Sequence, residues 1–350
     1  MSILCWGAIK LRHMSQRYRF PETIVPRVRN TSDTVDVVYS VYWRPGLKHM
    51  KEEELVNFAF YVIAGVNPNH TDIFHHFYFV YDASQMSLQE ATIQIEALLA
   101  EEPFHSRLYK RPNVFIHILP NDGRDFCNFS RSLVGQQSRV RSGYVLFMNT
   151  SVRGPFVNLA VLNALDGRWT DIFLAMFDKA EDMRAVALMW DCTNGVHFYS
   201  FTFMLDAQGV ELARDKWSEA CQMRDISDNV ILYEVGFSHE IIDHGGRFGV
   251  LIEEDYMQTL QKCKTAQPYQ NGNFTRFEDT IYPFEQLFFK AAGTSAYMDR
   301  RPKHVLKRLQ MHSVWTTDFA LRQFPLQGPV TAINLTFPDP IEWSIPSFRL

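Results

Sequence analysis

Between residues 34 and 250 the chain alternates short apolar runs rich in β-branched and aromatic residues with longer segments of helical period. That alternation limits the fold more than any other feature, because it is the pattern of an α/β sheet with parallel strands at its centre. Strand patterns fall at Thr34–Trp43, Phe77–Tyr81, Asn113–Leu119, Tyr144–Met148, Arg184–Trp190 and His197–Leu205. Helical patterns fall at Glu52–Ala64, Gln85–Glu101, Phe126–Arg139, Asn158–Phe177, Gly209–Cys221 and Tyr233–His244, the last closed by Gly245-Gly246. The centre is Gly143–Phe156, where an apolar strand stops at Asn149-Thr150-Ser151 and turns at Arg153-Gly154-Pro155. In open α/β sheets ligands sit beyond the carboxyl ends of the strands, so polar residues at this tip suit a site. Asn149 and Ser151 suit a plain turn equally well.

After about residue 265 the texture changes. Gln267–Thr280 reads as loop, Pro283–Ala292 as a short helix and Arg300–Arg308 as a basic stretch, more readily a solvated helix face than a phosphate contact. From Phe324 the chain is Pro-rich and reads as an extended arm lying on its own surface or a partner's. The first twenty residues carry Lys10, Arg12, Arg17 and Arg19 and no acid, which suits a solvated basic arm or an organelle-targeting segment.

With 350 residues, 46% of them hydrophobic and 21% charged, the chain can build one large core or two domains. A net charge of −4 gives no footprint for nucleic acid, and no apolar run reaches the roughly 18 residues of a membrane span. The five cysteines (Cys5, Cys127, Cys192, Cys221 and Cys263) are odd in number, dispersed and without CxxC spacing. They predict free thiols in an intracellular, reducing compartment, cytoplasmic or mitochondrial, and no zinc site. P-loop, GxGxxG and GxSxG signatures are all absent.

Polar clusters close several of the strands: Asn121-Asp122-Gly123-Arg124-Asp125, Asn149-Thr150-Ser151, and Asp191 with His197; Glu234-Val-Gly-Phe-Ser238 opens a helix pattern. Together with Asn149-x-Ser151-Val-Arg-Gly-Pro-Phe156, Trp169, Val196-His197-x-x-Ser200 and Pro283-Phe-Glu285-x-x-Phe288-x-Lys290, this order resembles nucleotide-sugar glycosyltransferases of the GT-A fold. More narrowly, it is similar to a rhamnan-synthesis-like group found in bacteria, algae and algal viruses. The resemblance covers roughly residues 35 to 292. It implies a GT-A-like (Rossmann-like), mixed, mostly parallel sheet flanked by helices over 34–292. An N-terminal basic arm (1–33) would precede it, and a basic helix with a Pro-rich extended tail (293–350) would follow.

The resemblance also implies roles. Asn121, Gly123 and Asp125 would hold the nucleoside of a nucleoside-diphosphate sugar. Asn149 and Ser151 occupy the place of an Asp-x-Asp that holds Mn2+ or Mg2+ on the donor diphosphate; an amide and a hydroxyl are poor ligands for those ions. Arg153 would offset phosphate charge, since Arg suits bidentate phosphate contacts. His197 would touch the diphosphate, or is a packed core residue. Glu234 matches the general base of inverting members, or complements a helix dipole. The implied activity is transfer of a hexose or deoxyhexose to a hydroxyl acceptor, a glycan among the candidates. Two other readings stay open: a catalytically inactive descendant serving as a subunit of a large, for instance mitochondrial, complex, and a sugar- or nucleotide-binding regulator.

Overall fold

The computed structural model describes residues 33–44, 50, 52–67, 69–123, 125–134, 140, 142–157, 167–188, 190–191, 195–222, 225–251 and 287–290. The basic N-terminal stretch, the loop expected at 267–280, the basic stretch at 300–308 and the Pro-rich tail lie outside these residues.

β1 (Val35–Trp43) is buried along almost its whole length, as a central strand must be. α1 (Glu52–Ala64) leads to β2 (Ile73–Tyr81), and α2 (Leu88–Leu99) and α3 (Phe104–Leu108) lead to β3 (Val114–Pro120). Ser87 caps α2 through a full capping box with Glu90. α4 (Asp125–Leu133) precedes β4 (Tyr144–Asn149), which is followed by the two-residue β5 (Val152–Arg153). Next come α5 (Asp171–Phe177), β6 (Met183–Ala187), the hairpin of β7 (Trp190–Asp191) and β8 (His197–Phe198), and β9 (Thr202–Asp206). α6 (Ala207–Lys216) is capped by Asp206. A continuous helical segment then runs through α7 (Ile226–Asn229), a π-helix (Val230–Val235) and α8 (Gly236–Asp243) into β10 (Arg247–Val250). β11 (Phe289–Lys290) pairs antiparallel with β5.

Seven strands form one sheet in the order β10-β6-β9-β4-β1-β2-β3. β1 pairs in parallel with both β2 and β4, β2 with β3, and β6 with β10; β9 runs antiparallel between β4 and β6. The expected mixed, mostly parallel sheet flanked by helices is therefore what the chain forms. One face carries Tyr39, Phe58, Tyr61, Phe77 and Trp169 in one buried cluster, and the other carries Phe126, Phe129, Phe147, Phe203 and Trp217.

Several expectations need correction. β2 begins four residues earlier than expected, because His75 and His76 are buried strand residues, bonded to Tyr61 and Asp36 respectively. The strand expected over His197–Leu205 is two strands, β8 and β9, on different partners. Of the helix expected over Asn158–Phe177, residues 158–166 lie outside the described residues; Gly167, at φ 80°, lies in a turn, and α5 runs from Asp171 to Phe177. Residues 289–290 are strand rather than helix, since β5 supplies them a partner. Cys127 and Cys221 are not free thiols: the fold brings α4 to the 3-10 turn Ala220–Gln222, with 4.4 Å between the two Cα atoms, and they form a disulfide. That removes these two from the cysteine argument for a reducing compartment.

Candidate functional site

The site is built where β4 leaves the sheet. β4 lies between β1 and β9, with Asn149 opposite Ser40 and Met148 opposite Thr202. Beyond that register, the chain turns on Asn149. Its Oδ1 accepts from the Ser151 N–H at 3.0 Å and from the Ser151 hydroxyl, an Asx turn of the kind that Asn favours. Its Nδ2 donates to Asp125 Oδ2 at 2.8 Å. The tip of β4 is thereby tied to the first residue of α4.

The loop before α4 follows from the end of β3. The Asn121 N–H donates to the Tyr81 carbonyl at 2.7 Å, and Arg131 bonds the Pro120 carbonyl and the Asp122 carboxylate. Gly123 has no room for a side chain: a Cβ there would lie 2.7 Å from Cys127 Cβ. One turn into α4, buried Asn128 donates to Ser40 Oγ at 3.1 Å. Asn121, Gly123, Asp125, Asn149 and Ser151 thus share one edge of the sheet.

Glu234 reaches this edge from the other side. Ser200, two residues before β9 begins, donates to Glu234 Oε2 from its backbone N–H at 3.2 Å and from its hydroxyl. Because β4 and β9 run antiparallel, Ser200 and Asn149 both lie just past the last paired residues, Met148 and Thr202. The buried rings of Phe126 and Tyr233, next in sequence to Asp125 and Glu234, lie 6.2 Å apart between centroids. Glu234 does not open a helix, as the sequence suggested. The helical segment starts at Ile226, and Glu234 sits inside the π-helix, so the dipole explanation for its charge does not apply. Single π-turns interrupting α-helices occur often at functional sites.

Two expected residues are buried. Arg153 is 1% exposed, and its Nε donates to Asn57 Oδ1 of α1 at 2.7 Å. It lies among the groups around buried Tyr39 and Glu54, under the opposite face of the sheet from α4. A guanidinium so enclosed presents no surface to a phosphate. His197 is also buried; its Nδ1 faces the Gly195 carbonyl at 3.0 Å, so the proton sits on Nδ1 and is donated there.

At the tip of β4, Asp125 is already engaged by an amide and the Asn149 oxygen is already taken by Ser151; Asp122 is bonded to Arg131, and one Glu234 oxygen is held by Ser200. Among the described residues no group of three or more His, Cys, Asp and Glu gathers in a way that could hold a metal ion. This donor set fits Mg2+ or Mn2+ poorly, since hard cations take several free oxygen ligands. Sequence reasoning missed Asn57, whose Nδ2 donates to the Thr150 carbonyl at 2.8 Å while its Oδ1 holds Arg153. The one available signal was an amide inside the apolar run of α1.

Compared with known proteins, the sequence matches no protein-family model and no curated protein. Solved structures give distant likenesses. The glycosyltransferase GlyE of Streptococcus pneumoniae TIGR4 is 13% identical over 83% of this chain and 64% of its own, at a TM-score of 0.39. Mouse xyloside xylosyltransferase 1 is 10% identical over 61% of this chain and 84% of its own, at 0.34. A glycosyltransferase involved in glycosylation of the major capsid of PBCV-1 is 11% identical over 79% of this chain and 99% of its own, at 0.33.

Proposed function

We propose that the chain is a GT-A-like glycosyltransferase that moves a sugar from a nucleoside diphosphate to a hydroxyl acceptor, with Glu234 as the general base. The observation that supports this best is that two bonded groups, Asp125 with Asn149 and Ser151, and Ser200 with Glu234, flank the last paired residues of β4 and β9 at the carboxyl end of β4. These elements come from four separate stretches of sequence, and a mere turn at the strand tip would need none of the others.

In this reading the loop from Asn121 to Asp125 takes the nucleoside, and the amide and hydroxyl of Asn149 and Ser151 face the diphosphate. Glu234 takes the proton of the acceptor hydroxyl. The hydroxyl oxygen then forms a bond to the anomeric carbon on the face opposite the diphosphate. The bond from that carbon to the diphosphate oxygen breaks, and its electron pair leaves with the nucleoside diphosphate. Arg153 and His197 act as buried structural groups. The donor site works without a carboxylate-held cation, and the finer membership in a rhamnan-synthesis-like group rests on the sequence motifs.

A second reading, a catalytically inactive member of the same fold acting as a subunit of a larger assembly, is favoured by one observation. The tip polar groups satisfy one another, with Asn149 bonded to both Asp125 and Ser151. Thermal unfolding with UDP, GDP and dTDP, each with Mn2+ or with EDTA, separates the two. The enzyme reading expects one nucleotide to raise the melting temperature, equally with and without metal; at a hundredfold excess over Kd the gain is about 2.7 kcal/mol. No shift with any nucleotide overturns it in favour of the inactive subunit.

A further inference from the structure

Two segments 34 residues apart are stitched together around Glu234. Ser200 places both of its donors on one carboxylate oxygen, Oε2. Ser238, one turn further along the helix, donates from Oγ to the Glu234 carbonyl at 3.2 Å and accepts from the Phe198 N–H at 3.2 Å. The helix backbone at 234 and the side chain of 234 are therefore both held by the 198–200 turn. The other carboxylate oxygen, Oε1, has no hydrogen-bond partner among the described residues, and the side chain is half-buried rather than sealed in the core.

A carboxylate with one oxygen doubly bonded and the other open is pre-aimed. Rotation about its last torsion, otherwise soft, would break two charge-assisted bonds. We propose that Ser200 is the positioning residue of Glu234: it holds Oε2 so that Oε1 faces the acceptor hydroxyl, and Ser238 holds the backbone that carries the pair. The inference rests on the reading of Glu234 as the base. During transfer the acceptor proton goes to Oε1 while Oε2 keeps both donors, so the carboxyl group becomes neutral without turning. In this reading Ser200 acts through Glu234, so its loss slows the chemical step and spares donor binding.

The test uses the full chain with UDP-, GDP- and dTDP-sugars as probes and released nucleoside diphosphate as the readout, for wild type, Ser200→Ala, Ser200→Thr and Glu234→Gln. Ser200→Ala is expected to lower kcat about 10- to 100-fold, the span of one lost charge-assisted bond, with donor KM within about twofold. Ser200→Thr, which keeps both the hydroxyl and the backbone N–H, restores most of the rate. Full activity in Ser200→Ala, or a loss that Thr does not rescue, overturns the positioning role while leaving the base assignment intact if Glu234→Gln is inactive. Wild-type rates in Glu234→Gln, or no turnover of any probe by wild type, overturn the base assignment and this inference with it.

Discussion

Removing the side chain of Asn57 should unfold the strand-tip region at a measurable cost. Asn57 is fully buried and acts in two directions, donating to the Thr150 carbonyl at 2.8 Å and accepting from Arg153 Nε at 2.7 Å. A hydrogen bond to a charged group contributes about 1.5–3 kcal/mol, and a buried carbonyl left without its donor costs about 1–3 kcal/mol. Arg153 keeps a further interaction, so its charge is not stranded, and the sum for Asn57→Ala stays near the lower end, about 3 kcal/mol. For a domain of this size that lowers the melting temperature by about 6–12 °C. Asn57→Leu separates the causes, because it fills the space and restores neither bond. The two variants should fall within about 1 kcal/mol of each other in urea unfolding followed by circular dichroism. A Leu variant as stable as wild type would show that packing, not hydrogen bonding, makes Asn57 matter, and would refute the reasoning.

Gly154 has φ 150°, and a Cβ there would lie 2.5 Å from the Leu287 carbonyl; Gly154→Ala should cost at least about 2 kcal/mol and displace β11, read by hydrogen exchange at Phe289. Burial, with the neighbouring His76 and His70 charges, pushes His75 from 6.5 down to about 3, so the unfolded chain binds its proton more tightly than the folded one. The stability it contributes is full above pH 6.5 and is lost as pH falls toward 3; melting curves at pH 7 and 5 should differ by about 2 kcal/mol more in wild type than in His75→Gln. Reducing the Cys127–Cys221 bond, which closes a loop of 94 residues, should lower unfolding stability by about 2–4 kcal/mol in a denaturant titration with and without dithiothreitol.

The sheet was legible because its central strands are buried on both faces and so read as continuous apolar runs. β1 and β4 carry that signature plainly. The first half of β2 was not legible, since Ile73-Phe-His-His loses the pattern once histidines stand at buried positions, and only a tyrosine and an aspartate distant in sequence make them acceptable there. β11 was misread because its pairing partner, β5, is more than a hundred residues away, and local period cannot report such a contact. The disulfide escaped for the same reason. At the site, the two motifs containing Ser200 and Glu234 were legible as separate segments, but their bond was not, because it joins residues 34 apart, one of them in a π-helix that no residue pattern announces. The resemblance made Arg153 a phosphate contact; the amide that holds it comes from α1, distant in sequence.

The most direct test of the account compares nucleotide affinity and sugar transfer in Glu234→Gln. Gln keeps the size of the side chain and can still accept from Ser200, but it cannot take a proton. Affinity for the preferred nucleoside diphosphate, by titration calorimetry, should stay within about threefold of wild type, while transfer falls at least about 100-fold. Loss of binding and transfer together would make Glu234 a structural residue, and unchanged transfer would place the base elsewhere; either result contradicts the account.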